Sequence, residues 1–208
     1  MKIGFCGTMS VGKTTLVNAL KELPEFKDYH FRTERSKHLM NLGIPLNTDS
    51  TLKDLPEFKD YKFKTERSKY LRDLGIPLNT DSTIKGQTVF LAERAAELMN
   101  EKIITDRTVI DVMAFTSLAE SIPIYKSDAF EEYASYLINE YDYIFYVSPE
   151  GVEIENNGVR ETNAKYRDLV DFSIKNFLNR YNHRIKNLVE IKGSNEERVK
   201  LVREALNV

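Results

Sequence analysis

Short apolar runs alternate with amphipathic segments along most of the 208-residue chain. Runs rich in β-branched and aromatic residues, bounded by polar turns, are typical of buried strands. Such runs predict strands at residues 2–6, 102–105, 142–147 and 187–192. One more strand is predicted where polar and apolar positions alternate, at residues 29–33 or 61–65.

Apolar positions spaced three or four residues apart predict helices between these strands. The first predicted helix covers residues 13–23, with one apolar stripe formed by Leu16, Ala19, Leu20 and Leu23. Others are predicted at 86–102 and at 127–141, where Ser127 is the expected cap. The alternation of strand and helix predicts an α/β fold, a doubly wound parallel sheet forming one domain over residues 1–208.

A segment of the chain is repeated almost unchanged: residues 55–85 repeat residues 23–53. Either copy could supply the second strand of the predicted sheet. The other copy would then loop out, add an edge strand or pair with another molecule. The repeat therefore allows a homo-oligomer formed by exchange of the duplicated segment.

Composition and charge narrow the class of protein. The chain is 41% apolar and 30% charged, as in ordinary globular proteins, and no apolar run reaches the length of a membrane span. Its net charge of −2 gives no overall attraction to nucleic acid or anionic lipid, so neither partner is expected. The single cysteine, Cys6, excludes an internal disulfide and favours a cytoplasmic location.

The most specific motif is the loop GTMSVGKTT, which follows the first predicted strand. It fits G-x-x-x-x-G-K-[ST], with Gly7, Gly12, Lys13 and Thr14 in the fixed positions. The glycines let the backbone approach phosphate, Lys13 can reach the outer phosphates and the Thr14 hydroxyl can ligate Mg²⁺. The other residues of the predicted nucleotide-binding set are Thr8, Ser10, Val11 and Thr15.

Asp106 and Arg107 come directly after the strand predicted at 102–105. The carboxyl ends of strands in an open parallel sheet form the ligand crevice, so this pair is expected to face the phosphate loop. Asp106 could hold Mg²⁺ through water or accept hydrogen bonds from a substrate. Arg107 could bind a substrate or a phosphate through its forked guanidinium. The alternative is a surface ion pair beside a helix start, for which Thr108 and Asp111 are suited.

The repeated unit carries a glutamate after its strand, Glu34 in the first copy and Glu66 in the second. A glutamate at a strand end opposite Asp106 could act as the general base for a substrate hydroxyl. It could equally be a first-turn residue that interacts with a helix dipole. The residues leave this choice open.

A polar segment with an Asn-Asn-Gly turn follows the strand at 142–147 and predicts a lid over residues 150–167. Arg160 and Arg167 would reach the phosphates when such a lid closes and stabilise transferring charge. The alternative is a solvated hairpin with ordinary surface arginines.

Together these motifs resemble the P-loop kinases of small metabolites, above all nucleoside and nucleotide kinases and NadR-type nicotinamide riboside kinases, whose domain is often described as AAA-like. The resemblance rests on GTMSVGKTT, TER, TDRTVID and NNGVR. It implies that the TER glutamate orients or deprotonates the acceptor and that Arg107 contacts it. It further implies that Asp106 serves magnesium and that Arg160, with Arg167, is the lid arginine. The family has one glutamate-bearing unit, whereas this chain has two.

The expected function is phosphoryl transfer from ATP or GTP, with Mg²⁺, to a small nucleoside-like or nucleotide-like acceptor. A deoxynucleoside, a nucleoside monophosphate and nicotinamide riboside all remain open as acceptors. Two other functions would use the same loop: a nucleotide-binding regulatory switch, and an ATPase that needs no acceptor. Dependence of ATP consumption on an acceptor separates them.

Overall fold

The computed structural model describes residues 1–32, 81–152 and 164–208. Within them, parallel strands form one sheet in the order β2-β3-β1-β4-β5. The strands are β1 (Lys2–Cys6), β2 (His30–Arg32), β3 (Ile103–Asp106), β4 (Tyr143–Val147) and β5 (Leu188–Ile191). The predicted α/β fold with a parallel sheet is confirmed.

Helices connect the strands on both faces of the sheet. The α-helices are α1 (Lys13–Lys21), α2 (Ile84–Glu97), α3 (Val109–Ser117), α4 (Ile124–Ser135), α5 (Ala164–Arg180) and α6 (Asn195–Leu206). Short 3₁₀ turns lie at Pro24–Phe26, Tyr136–Glu140 and Asn182–Arg184. Each described helix is too short or too polar to cross a membrane.

Successive residues of a strand point to opposite faces, so the sheet separates two apolar clusters. Phe145 and Val147 of β4 pack with α1 and α6, while Ile144 and Tyr146 pack with α2, α3, α4 and α5. This alternation produces the doubly wound arrangement that the sequence predicts. Because both faces are covered by helices, the carboxyl edge of the strands is where proteins of this architecture bind ligands.

Two predicted helices begin at different residues from those expected. Helix α2 begins at Ile84 because the side chain of Thr83 accepts from the backbone N–H of Gly86 at 3.2 Å. The prediction that Ser127 caps the next helix is wrong. That helix begins at Ile124 after an extended Pro123, and the N–H of Ser127 donates to the Pro123 carbonyl at 3.1 Å, inside the first turn.

The strand of the first repeat copy, His30–Arg32, pairs with β3 and is the outermost strand on its side among the described residues. The corresponding stretch of the second copy, residues 61–65, lies outside the described residues. Thus the first copy supplies β2, the second strand along the part of the chain that the structure describes.

Candidate functional site

The phosphate loop connects β1 to α1 at the centre of the carboxyl edge of the sheet. Gly7 has φ 152°, and a Cβ there would lie 2.6 Å from the carbonyl oxygen of Val147. Gly12 has the left-handed φ of 81° and is the N-cap of α1. Both positions therefore favour glycine: the first because the loop passes close to β4, and the second because the chain turns into α1 with a left-handed residue.

Lys13 lies in the first turn of α1 and is 6% exposed. Its Nζ donates to the carbonyl oxygens of Gly7 and Thr8, each at 2.7 Å. Burial, assisted by the positive charge of Arg107, lowers the pKa of Lys13 to about 8. The ammonium group therefore lies within the loop, where a phosphate group would offer it a stronger partner than the two carbonyls.

Thr14 meets Asp106 across the boundary between α1 and β3. The Thr14 hydroxyl donates to Asp106 Oδ2 at 2.5 Å, and Asp106 lies opposite Phe5 in the β1–β3 register. A hydroxyl and a carboxylate are hard oxygen ligands of the kind that Mg²⁺ prefers. The two residues chosen from sequence as metal ligands thus lie together and fit this ion.

Arg107 adopts an unusual backbone conformation, with φ 88°. Its N–H donates to the Phe5 carbonyl at 3.0 Å, and its guanidinium lies 5.2 Å from the centre of the Phe115 ring. A residue without glycine's freedom holds this conformation only when its surroundings stabilise it. We conclude that the Asp106–Arg107 turn is held in place by its neighbours.

Arg94, in α2, supplies part of that support and was not predicted from sequence. Its Nη1 donates to the carbonyls of Asp106 and Arg107, at 3.3 and 3.2 Å, and its Nη2 pairs with Glu97 Oε1 at 2.9 Å. Arg94 is buried, so these bonds form away from bulk water. Its position on the polar face of α2 gave no signal of this role.

Asp111 has a wider role than the helix cap that the sequence predicts. The capping box with Thr108 is present, with Asp111 Oδ2 accepting from the Thr108 amide at 2.8 Å. Asp111 Oδ1 also accepts from the N–H of Gly7 at 3.3 Å. One buried carboxylate therefore joins the start of α3 to the start of the phosphate loop.

Arg167 lies in the first turn of α5 and is buried. Its guanidinium donates to the carbonyls of Val152 at 2.7 Å and Pro149 at 3.4 Å, and its own carbonyl accepts from the Thr8 hydroxyl at 3.0 Å. In this arrangement, Arg167 fastens the chain after β4 and contacts the phosphate loop through its backbone.

Arg198 of α6 also contacts the phosphate loop, and sequence reasoning missed it. Its Nη1 donates to the Val11 carbonyl at 2.5 Å, and its Nη2 donates to the Ser148 carbonyl at 3.5 Å. The residue is separated from Val11 by 187 positions, and its local sequence resembles any charged helix surface.

The remaining predicted residues divide into two groups. Within the loop, Ser10 has φ 57° and is buried, whereas Thr15 is exposed on α1. The glutamates Glu34 and Glu66 and the lid arginine Arg160 lie outside the described residues.

Comparison with known proteins agrees with this geometry. The model of a family described as AAA domain matches residues 2–198. A comparison with curated proteins gave no match.

Solved structures share the fold at low sequence identity. Deoxyadenosine kinase from M. mycoides with bound dATP has a TM-score of 0.57 and 17% identity, over 100% of both chains. The same enzyme with bound dCTP has a TM-score of 0.56 and 16% sequence identity, over 100% of this chain and 99% of the other.

NadR protein in complex with NAD and AMP-PNP gives a TM-score of 0.52 and 16% identity, over 99% of this chain and 49% of NadR. The resemblance to P-loop nucleoside and nucleotide kinases is thereby confirmed at the level of fold. The chain belongs to the AAA domain family and has a P-loop nucleoside-kinase-like fold.

Proposed function

We propose that this protein transfers a phosphoryl group from ATP, with Mg²⁺, to a nucleoside-like or nucleotide-like small acceptor. One observation carries the proposal. Lys13, inside the glycine loop, and the Thr14–Asp106 hydrogen bond at 2.5 Å lie at the same end of neighbouring strands β1 and β3. That combination places a hydrogen-bond donor for phosphate and hard oxygen ligands for a metal ion side by side.

The nucleotide phosphates would bind along the loop. Backbone amides, the positive end of α1 and the ammonium of Lys13 all favour negative charge there. Neutral pH lies below the Lys13 pKa of about 8, so the side chain carries its proton. Binding would replace its bonds to Gly7 and Thr8 carbonyls with charged bonds to phosphate.

Thr14 and Asp106 would hold the magnesium ion, Thr14 directly and Asp106 directly or through water. When bound, Mg²⁺ neutralises charge on the phosphates during transfer. Asp106 also orients the Thr14 hydroxyl before any ligand arrives, because the two are already hydrogen bonded.

The acceptor would lie between Arg107 and the TER glutamate, Glu34 or Glu66. The Arg107 guanidinium already lies against the Phe115 ring, a surface on which a flat base could rest. The glutamate would take the proton of the acceptor hydroxyl. Arg160 would add positive charge from the lid, and Arg167 would hold the base of the lid through Val152 and Pro149.

The order in which acceptor classes are tested follows from the proteins that share this fold. The structural neighbours include a deoxyadenosine kinase and a NadR protein that binds NAD and AMP-PNP. A nucleoside is therefore the first acceptor class to test, with nucleoside monophosphates and nicotinamide riboside beside it.

The test is ATP consumption with Mg²⁺ against deoxynucleosides, nucleoside monophosphates and nicotinamide riboside, with an acceptor-free control. Lys13→Met and Lys21→Met form a matched pair of variants, because both lysines lie in α1 and Lys21 is exposed. Consumption that needs one acceptor class and is lost only in Lys13→Met supports the kinase. Equal consumption without acceptor would identify an ATPase, and binding without consumption would identify a switch.

A further inference from the structure

The position of Arg198 follows from how α6 begins. Ser194 caps the helix: its hydroxyl accepts from the Glu197 amide at 3.2 Å, while its own amide donates to Glu197 Oε2 at 2.6 Å. This capping box fixes the first turn of α6. Arg198 follows directly, its N–H bonded to the Ser194 carbonyl at 3.0 Å, so the turn after β5 determines where its side chain lies.

The guanidinium of Arg198 is a buried charge without an acidic partner among the described ion pairs. The residue is 4% exposed, and its Nε is buried with no hydrogen-bond partner. Its hydrogen bonds go to two neutral carbonyls, those of Val11 and Ser148. Burial lowers the pKa of Arg198 from its ordinary value, which reflects the cost of keeping the charge there.

A buried cation of this kind is compensated when an anion binds nearby. The carbonyl of Val11 belongs to the same peptide unit as the N–H of Gly12. When Arg198 donates to that carbonyl, it polarises the peptide and makes the Gly12 N–H a stronger donor. The contact is close, since a Cβ at Gly12 would lie 3.1 Å from Arg198 Nη1.

We propose that Arg198 is a positioning residue of the phosphate loop: through the Val11 carbonyl it holds the Val11–Gly12 peptide in its phosphate-binding orientation and supplies buried positive charge behind it. The carboxyl-terminal helix thereby sets the affinity of the loop for nucleoside di- and triphosphates. This inference rests on the proposed binding of ATP.

The test compares variants of the full chain at two positions of α6. Arg198→Met removes the charge and both donors while keeping a side chain of similar length. Arg203→Met is the matched control, because Arg203 lies on the same helix and pairs with Glu25 at 2.7 Å. Arg198→Lys restores the charge without the forked geometry. Dissociation constants for ATP and ADP with Mg²⁺, and the KM for ATP and for the acceptor, are measured.

Arg198→Met is expected to weaken ATP and ADP binding about tenfold or more relative to Arg203→Met. The free energy of a hydrogen bond from a charged donor corresponds to a change in affinity of about that size. The KM for ATP should rise while the KM for the acceptor stays the same, and Arg198→Lys should recover part of the loss. A purely structural role would lower the Tm in both Arg198 variants without this selective change.

Equal ATP affinity in Arg198→Met and Arg203→Met would overturn the inference while leaving the proposed function intact. Failure of the unsubstituted chain to bind ATP would overturn the proposed function and this inference together. If Arg198→Met does not fold, Arg198→Lys decides: unchanged ATP affinity in that variant, despite the lost bond to Ser148, counts against the inference, and a selective rise in KM for ATP supports it.

Discussion

Thr14 Oγ1 and Asp106 Oδ2 lie 2.5 Å apart, although 92 residues separate them in the chain. The contact exists because β1 and β3 are neighbours in the sheet: the loop after β1 leads to Thr14 in α1, beside the edge where β3 ends at Asp106. A hydroxyl held by a carboxylate at this edge is oriented before a ligand binds.

Asp106→Asn should leave the fold intact and reduce magnesium-dependent turnover. The amide oxygen can still accept from Thr14, but the negative charge is lost, so kcat/KM should fall about 10- to 100-fold. The measurement is turnover against Mg²⁺ concentration, with exposed Asp128→Asn as control. Equal Mg²⁺ dependence in the two variants would remove Asp106 from the metal site.

Asp111→Ala should destabilise the protein. The amides of Gly7 and Thr108 would lose a buried acceptor, and each unsatisfied donor costs about 1–3 kcal/mol. The free energy of unfolding from urea titration should fall by about that amount or more. Asp128→Ala, which alters an exposed carboxylate, should change it by less than about 0.5 kcal/mol.

The lowered pKa of Lys13 predicts a dependence of stability on pH. The folded pKa, about 8, lies below that of an unfolded lysine, so the folded protein binds fewer protons between about pH 8 and 10.5. Relative to Lys13→Met, the free energy of unfolding should be flat below pH 8 and rise above it, by roughly 3 kcal/mol at most.

The pH experiment uses urea titrations of both proteins from pH 6 to 10.5, without nucleotide. Lys21→Met corrects for general effects of alkaline pH, because Lys21 is exposed on the same helix. A difference that stays constant across this range would mean that Lys13 is not perturbed by burial.

Arg94→Met should both destabilise the protein and disturb Arg107. Removing one partner of a buried ion pair costs about 3–5 kcal/mol, and the carbonyls of Asp106 and Arg107 lose their donor as well. The free energy of unfolding measures the loss of stability, and the KM for the acceptor measures the disturbance of Arg107. An acceptor KM that is unchanged in the folded variant would show that Arg94 does not influence acceptor binding through Arg107.

Deletion of residues 23–54 should yield a folded protein. The deletion brings the second repeat copy next to α1, and Leu55–Tyr61 has the same sequence as Leu23–Tyr29. The core position of Phe26 would then be filled by Phe58. Circular dichroism and thermal unfolding should match those of the full chain within a few degrees, whereas a chain that fails to fold would show that the copies are not equivalent.

Local motifs explain which parts of the site could be predicted. The phosphate loop, the Thr108–Asp111 cap and the position of Asp106 each depend on a few adjacent residues and on strand order. Arg198 and Arg94 could not be predicted in the same way. Their partners are backbone carbonyls of distant segments, and a carbonyl carries no side-chain signal in the sequence.

Helix ends show the same limit on a smaller scale. Ser127 has the residue type of a cap, yet the helix begins at Ile124, and its N-cap is the extended Pro123, which makes no side-chain hydrogen bond. Helix α2 begins at Ile84 with Thr83 as its N-cap, two residues before the start at residue 86 that the sequence predicts. The sequence therefore predicts that both helices exist, but it does not predict the residue at which each begins.

The position of β2 at the margin of the sheet has a consequence for how this chain could have grown. A marginal strand has a neighbour on one side, so added chain after β2 separates no pair of hydrogen-bonded strands among those described. The pairings that carry the phosphate loop, β1 with β3 and β1 with β4, lie farther in. Chain added after β2 therefore lengthens the protein without separating the described strand pairs that carry the phosphate loop.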